Sequence, residues 1–177
     1  VRTRNMARAL AVYEFLSRES PAQRREFLNL LGDLYEADGK TADAMAAFER
    51  GTLESDPLPA AFAKLALLQQ SALGDDAAVK TLTSAMNRFP EETSIAFLLA
   101  YLHVKAGRFA EAIPVFEALI RQSPAQDAQA GDAPPPVMSE DFYLLFAHAC
   151  EKNGDSARAE QIMEECLRRH TESHEAL

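Results

Sequence analysis

The sequence has no tryptophan, only two cysteines and no long apolar run. Two cysteines cannot supply the dense disulfide framework of a small secreted domain or the four thiolates of a cysteine zinc site. The longest uncharged apolar run, residues 93–104, is shorter than the roughly 18 residues that a helix needs to cross a bilayer. Disulfide-stapled domains, cysteine-rich metal modules and membrane-spanning segments are therefore not expected in this sequence.

Basic residues are scarce outside the first part of the chain. The formal net charge is −9, yet residues 1–25 hold six arginines against two glutamates. Because phosphate neutralisation supplies most of the affinity of a duplex-binding protein, a surface this acidic does not suit a nucleic acid partner. The arginine-rich segment has two interpretations: a solvated helix face, or a binding site for an acidic segment.

No catalytic constellation is visible, so we predict that this chain is not an enzyme and uses no cofactor. A glycine-rich phosphate loop, a paired-cysteine motif and an activated serine arrangement are all missing from the sequence. His170 and His174 have the spacing that places two metal ligands on one helical face. No metal site is predicted from this pair, and an adventitious one is the alternative.

The two cysteines are predicted to be core residues and not a disulfide. Cys150 and Cys166 fall on opposite helices of one predicted pair that turns at Gly154. At 1.5 Å per residue they should be displaced by roughly 10 Å along the helix axis. A disulfide needs Cα atoms within about 7 Å of each other.

What the sequence does have is an internal repeat. Alanines recur at intervals of 34, 34 and 47 residues, and a second small position keeps the same intervals. The first series is Ala44, Ala78, Ala112 and Ala159, and the second is Gly32, Ala66, Ala100 and Ala147. Small residues at two fixed phases let paired helices approach closely, so the period predicts a stack of helix–turn–helix units.

The unit from Ser94 to Pro124 resembles a tetratricopeptide repeat (TPR). The residues that match the family pattern there are Leu99, Ala100, Gly107, Phe109, Ala112, Phe116 and Pro124. The resemblance extends over nearly the whole chain, although Gln69 and Cys150 stand where the family usually has an aromatic residue. It implies an all-α fold, a right-handed superhelical α-solenoid of about nine helices. The alanine-rich composition, with arginine favoured over lysine, suggests a bacterial protein.

We expect the repeats to form one continuous solenoid domain whose two ends are both cut. Residues 1–21 would be the second helix of a truncated repeat, and residues 172–177 the start of a further one. Residues 125–139 are rich in proline and predict an insertion loop, either passive or an arm that contacts a partner. The complete repeat units are predicted at residues 22–57, 58–90, 91–124 and 140–171.

The resemblance also implies a binding groove, because in this family the first helix of each unit lines the concave side. The equivalent residues here are Asn29, Asp33, Glu36, Leu67, Gln70, Phe97, Tyr101, Val104, Leu144 and His148. The groove would be acidic at its start and apolar at its centre, which suits a helix or peptide with hydrophobic anchors. The apolar members have a second interpretation, as positions that another part of the same protein covers.

We therefore expect a scaffold that binds a segment of a partner protein, with no nucleic acid and no membrane insertion in this segment. Two alternatives stay open: a structural protein that forms homo-oligomers through its repeat ends, and a repeat arm of a larger multidomain protein. The lysine and asparagine clamp that one branch of the family uses to grip chaperone C-termini is not matched. The sequence indicates neither a cytoplasmic nor a periplasmic location.

Overall fold

A computed structural model describes residues 2–122 and 139–175 of the chain, with side chains described for 5–122 and 139–169. The described residues form nine α-helices and one short 3-10 turn, and no strand occurs among them. The predicted all-α architecture is confirmed. The helices are α1 Arg2–Glu19, α2 Arg24–Ala37, α3 Thr41–Thr52, α4 Pro59–Leu73, α5 Asp75–Arg88, α6 Thr93–Lys105, α7 Phe109–Gln122, α8 Glu140–Lys152 and α9 Ser156–Glu175.

The chain divides into two compact units, Val1–Phe89 and Pro90–Leu177. In the first unit each helix from α1 to α4 packs against the next one along the chain. In the second unit α6 packs on α7, α7 on α8 and α8 on α9, and α6 also contacts α8. Packing between sequence neighbours is typical of a helical repeat, in which each unit contacts mainly the adjacent ones.

The turns inside the hairpins depend on glycine. Gly39 ends α2 with φ 74°, and Gly107 ends α6 with φ 72°, a left-handed conformation that a β-carbon disfavours. After each glycine the next amide closes the helix end. Lys40 N donates to the Tyr35 carbonyl at 2.8 Å, and Arg108 N donates to the His103 carbonyl at 2.8 Å. These bonds satisfy carbonyls that the helix leaves unpaired and turn the chain back into the second helix.

The recurring small residues lie at the closest helix contacts. Ala44, Ala78 and Ala112 are fully buried. A β-carbon added to Gly32 would lie 2.5 Å from the nearest ring carbon of Phe48, so a larger residue at this position would force the Phe48 ring or the helices to move. At Gly32 the absence of a side chain thus lets the Phe48 ring of α3 pack directly against α2.

The cysteines behave as small core residues, as the sequence predicts. Both Cys150 and Cys166 are buried and neither is part of a disulfide. Burial raises the pKa of both thiols, because a thiolate loses hydration in the core.

One predicted boundary is wrong. We expected a new helix to begin within residues 172–177, but α9 runs unbroken from Ser156 to Glu175. No proline or glycine occurs between these two residues, so the helix meets no residue that would end it. The predicted insertion loop at 125–139 lies outside the described residues except for Ser139, whose hydroxyl accepts a bond from Phe142 N at the start of α8. The division into repeat units stays a prediction.

Candidate functional site

The predicted binding residues lie on the first helices of four hairpins, α2, α4, α6 and α8. One register position stands out because it is accessible in all four helices, while the residue just before it is buried. We call it the first-helix position, and its members are Asp33, Leu67, Tyr101 and His148. The buried residues that precede them are Gly32, Ala66, Ala100 and Ala147. The same repeat that packs one residue against the second helix thus presents the next residue to solvent.

In the first unit, the acidic member of this position is already paired. Lys64 on α4 donates through Nζ to a carboxylate oxygen of Asp33 on α2. The Lys64 ammonium also lies 5.6 Å from the centroid of the Phe48 ring, a cation–π arrangement. The surface at α2 is therefore less acidic than the sequence predicts. Sequence reasoning missed Lys64, although its separation of 31 residues from Asp33 is close to one repeat.

The other predicted polar residues of the first unit differ in their surroundings. Gln70 Nε2 donates to Asp75 Oδ1 at 2.8 Å, a bond across the α4–α5 turn. Glu36 is exposed at the end of α2. Asn29 is half-buried, and its side-chain oxygen has no hydrogen-bond partner among the residues that the structure describes. A buried amide oxygen without a partner is costly to the stability of the fold.

Leu67 and Tyr101 are the accessible apolar members of the first-helix position. Leu67 is 48% exposed on α4, and Tyr101 is 37% exposed on α6. Phe97 lies one turn before Tyr101 but is only half-exposed, with its ring 6.3 Å from that of Phe142 on α8. Val104 is buried and offers little surface to a partner. Tyr101 is thus the main predicted contact on α6.

At α8 the predicted residues border a hollow. Leu144 is 42% exposed, and the His148 ring meets Phe109 edge-on at 5.8 Å. Both line a hollow of about 550 Å³ between α8 and α9, which Ala159 and Met163 also line. The equivalent residues of an earlier hairpin, Ala44 and Phe48, pack against Ala61 and Leu65 of the following helix. The hollow therefore has the position that receives a helix elsewhere in the chain, but its lining is mixed and also includes Glu151, Ser156 and Glu160.

His103 is half-buried, and its Nδ1 has no partner in the described part of the chain. Burial lowers the pKa of His103, and the nearby Arg108 charge lowers it further. No cluster of three or more metal-ligating side chains occurs among the side chains described. The side chains of His170 and His174 lie outside that set.

Two sequence profiles, both described as tetratricopeptide repeat, match this chain. One covers residues 1–58 and 64–127, and the other covers residues 140–169. The chain belongs to the tetratricopeptide repeat family. TPR modules are generally non-catalytic and bind protein or peptide partners. None of the described TPR helices is long and apolar enough to cross a bilayer.

Solved structures share the fold at low sequence identity. MamA is 18% identical with a TM-score of 0.72, over 98% of this chain and 94% of that protein. YrrB, described as a TPR protein with an unusual peptide-binding site, is 17% identical with a TM-score of 0.67, over 94% of this chain and 79% of that one. BtubC from P. vanneervenii is 18% identical with a TM-score of 0.73, over 96% of this chain and 75% of that one. These similarities show the fold alone.

A further relative is the cytochrome c-type biogenesis protein CycH of Rhizobium meliloti (strain 1021). It is 32% identical over 100 residues, which are 55% of this chain and 26% of CycH. The chain thus matches about a quarter of the length of this relative.

Proposed function

We propose that this TPR chain is a scaffold that binds a peptide or helix of a partner protein through the side chains at the first-helix position. The observation that carries the proposal is the exposure of Leu67 and Tyr101, which are 34 residues apart in the sequence. Large apolar side chains at one repeated position, held on packed helices, are suitable anchors for a partner.

The chemistry of the neighbouring residues defines the partner that fits. Leu67 in the first unit, and Tyr101 and Leu144 in the second, favour apolar or aromatic side chains of a partner, as an amphipathic helix or an extended peptide presents them. The paired Asp33 and Lys64 offer both a hydrogen-bond acceptor and a donor to a peptide backbone or to a polar side chain. The peptide-binding site ascribed to YrrB, which shares the fold, supports this proposal.

The test begins with peptides selected from a displayed random library against the wild-type chain. Affinity for the best peptide is then measured with Leu67→Asp/Tyr101→Asp and with a control, Leu73→Asp/Ile120→Asp. The control replaces one exposed apolar residue in each unit at positions outside the first-helix position, so it matches the test variant in charge and exposure. We expect the test variant to lose at least about tenfold in affinity, since hot-spot truncations cost about 2 kcal/mol or more. Equal affinities for both variants would remove the first-helix position as the binding site.

A second candidate function is a role in cytochrome c-type biogenesis as the repeat portion of a larger protein. The similarity to CycH favours it. Deleting the gene and staining cell extracts for covalently bound haem tests it directly. Loss of c-type cytochromes that returns on complementation is expected, and unchanged cytochromes would count against this role.

Self-assembly is the structural alternative to partner binding. The hollow bordered by α8 and α9 is lined by both apolar and polar side chains, against which a helix of a second copy would pack. Sedimentation of the purified chain over a range of concentrations separates the two functions, because only self-assembly predicts growth in mass without an added partner.

A further inference from the structure

A cleft lined by arginines lies where α1 and α3 end. Its volume is about 440 Å³. Two of the guanidinium groups come from the last turns of α1 and α3, and the third comes from the first residue of α2. The lining residues are Ser17, Arg18, Arg24, Arg50, Leu53 and Glu54. All of them belong to the first compact unit, and none belongs to the set predicted for the groove.

The guanidinium groups face the cleft with little internal neutralisation. Arg18 and Arg50 are exposed, and neither forms an ion pair with another described residue. Arg24 Nε donates to the Ser17 carbonyl at 2.9 Å, which fixes this third guanidinium at the wall of the cleft. By contrast, the neighbouring Arg25 is paired with Glu26 and Asp56. The arginines that line the cleft therefore have no carboxylate partner among the described residues.

The balance of charge at the cleft is positive. Glu54 is the acidic residue among those that line it. A smaller adjoining cleft of about 190 Å³ shares Arg18 and Arg50 and adds Glu14 and Asp43. Glu14 accepts a hydrogen bond from the Tyr35 hydroxyl and so faces α2 as well as the smaller cleft. In the larger cleft itself three arginines face one glutamate, a local balance of +2 in a chain whose net charge is −9, whereas the two clefts together hold three arginines and three carboxyl groups.

An exposed leucine defines the second feature of the cleft. Leu53 is 79% exposed, the most exposed of the large apolar side chains described, and it lies directly beside the arginines. A ligand that uses both features carries a carboxylate next to an apolar side chain. Long polyanions fit poorly, because the acidic remainder of the chain would repel their other phosphates.

We propose that this cleft binds an acidic segment of a partner protein, with a carboxylate held by Arg18, Arg24 and Arg50 and an adjacent apolar side chain against Leu53. Guanidinium groups are suited to this task because they bind carboxylates through two parallel hydrogen bonds. This binding site is separate from the first-helix position, so a failure of either proposal leaves the other standing.

A purely structural role for the arginines makes a different prediction. Arg18 and Arg50 lie in the last turns of their helices, where a cation stabilises the helix dipole. If that were their whole role, reversing their charge would lower the stability of the fold without affecting any ligand. The experiment must therefore measure binding at the arginines themselves.

The probe is a synthetic peptide of alternating glutamate and leucine, titrated into the isotopically labelled chain while the Nε–Hε signals of the arginines are followed by NMR. We expect the signals of Arg18, Arg24 and Arg50 to shift, and a matched peptide with glutamine in place of glutamate to leave them unchanged. Affinity for the acidic peptide should fall roughly tenfold or more in Arg18→Glu/Arg50→Glu, because the loss of paired charges at a binding site has effects of this size. Arg18→Gln/Arg50→Gln repeats the test with a milder change in case charge reversal affects folding.

The control variant is Lys80→Glu/Lys105→Glu, which changes the net charge by the same amount at exposed positions outside the cleft. It should keep the affinity of the wild type. The proposal is overturned if the acidic peptide shifts none of the three signals, or if binding survives in both arginine variants. It is also overturned if a single-stranded oligonucleotide competes better than the peptide, which would indicate a nucleic acid ligand. Shifts that grow with protein concentration alone would instead indicate a second copy of the chain.

Discussion

The hydroxyl group of Tyr35 on α2 donates a hydrogen bond to the carboxylate of Glu14 on α1. This bond raises the pKa of Tyr35 to about 12, with burial as the next cause. A phenol whose pKa is higher in the folded chain than in the unfolded chain stabilises the fold below pH 10. That contribution is lost as the pH rises from about 10 towards 12, because the unfolded chain gives up the proton first.

Tyr35→Phe tests whether this bond holds α1 on α2. We expect the free energy of unfolding to fall by about 1 kcal/mol at neutral pH, since the bond is made to a charged acceptor but is only partly buried. Urea unfolding measures the difference, which should narrow as the pH approaches 12. An unchanged midpoint would show that the contact contributes nothing to stability. Tyr13→Phe is the control, because the Tyr13 hydroxyl forms no hydrogen bond with a described residue.

Gly32 and Gly51 offer an opposed pair of substitutions. Gly32→Ala should destabilise the fold by about 1–3 kcal/mol, because the new methyl group would overlap the Phe48 ring and force it to move. Gly51→Ala should stabilise it by up to about 1 kcal/mol, because alanine is the better helix former. At Gly51 the added β-carbon would meet Ala61 at 3.6 Å, an ordinary van der Waals distance.

Thermal or urea unfolding of the two glycine variants should show a loss of stability for Gly32→Ala and a gain for Gly51→Ala. A Gly32→Ala variant as stable as the wild type would mean that the Phe48 ring can move aside without loss of packing. A small residue at position 32 would then not be required for the packing of α2 against α3.

The low pKa of Glu165 predicts that the stability of the fold depends on pH in the acidic range. It accepts hydrogen bonds from Arg168 at 2.7 Å and from Arg169 at 2.5 Å, and these bonds lower its pKa to about 2. A carboxyl group whose pKa is lower in the folded chain stabilises the fold above its ordinary pKa of 4.5 and loses that contribution as the pH falls towards 2. The gain is small, because the side chain is partly exposed to water.

Glu165→Gln should therefore be less stable than the wild type at pH 7 and equal to it near pH 2, as measured by chemical denaturation at each pH. Glu164→Gln provides the comparison, because Glu164 is exposed and has no such pairing with a described residue. A constant difference across the whole pH range would contradict the assignment of the low pKa to Glu165.

The helical-repeat fold could be predicted because the repeat is a pattern of side-chain sizes, and the size of each side chain is known directly from the sequence. Gly32 and Ala44 each belong to a series of small residues, and a shared period of small residues predicts closely packed pairs of helices. The turns were equally visible, since Gly39 and Gly107 mark positions where the backbone needs a positive φ. The repeat period wrongly predicted that a new helix begins within residues 172–177, because the period does not register that the sequence from Ser156 to Glu175 contains no helix-ending residue.

The candidate site was less predictable, for two physical reasons. Pairs such as Asp33 with Lys64 depend on long side chains that reach between neighbouring hairpins, and periodicity does not record their rotamers. On α6 the residues are apolar on nearly every face, so the pattern gave no polar side against which to judge exposure. Val104 was therefore grouped with Tyr101, although it is buried and Tyr101 is accessible.

The central functional claim is that one repeated position on the first helices contacts the partner, and site-specific photocrosslinking tests it most directly. A photoreactive phenylalanine analogue is placed at Leu67 or Tyr101, and at Leu73 or Ile120 as controls, and each chain is irradiated with a library-selected peptide. We predict crosslinks from positions 67 and 101 and few from positions 73 and 120. Crosslinks that form mainly from the control positions would contradict the claim.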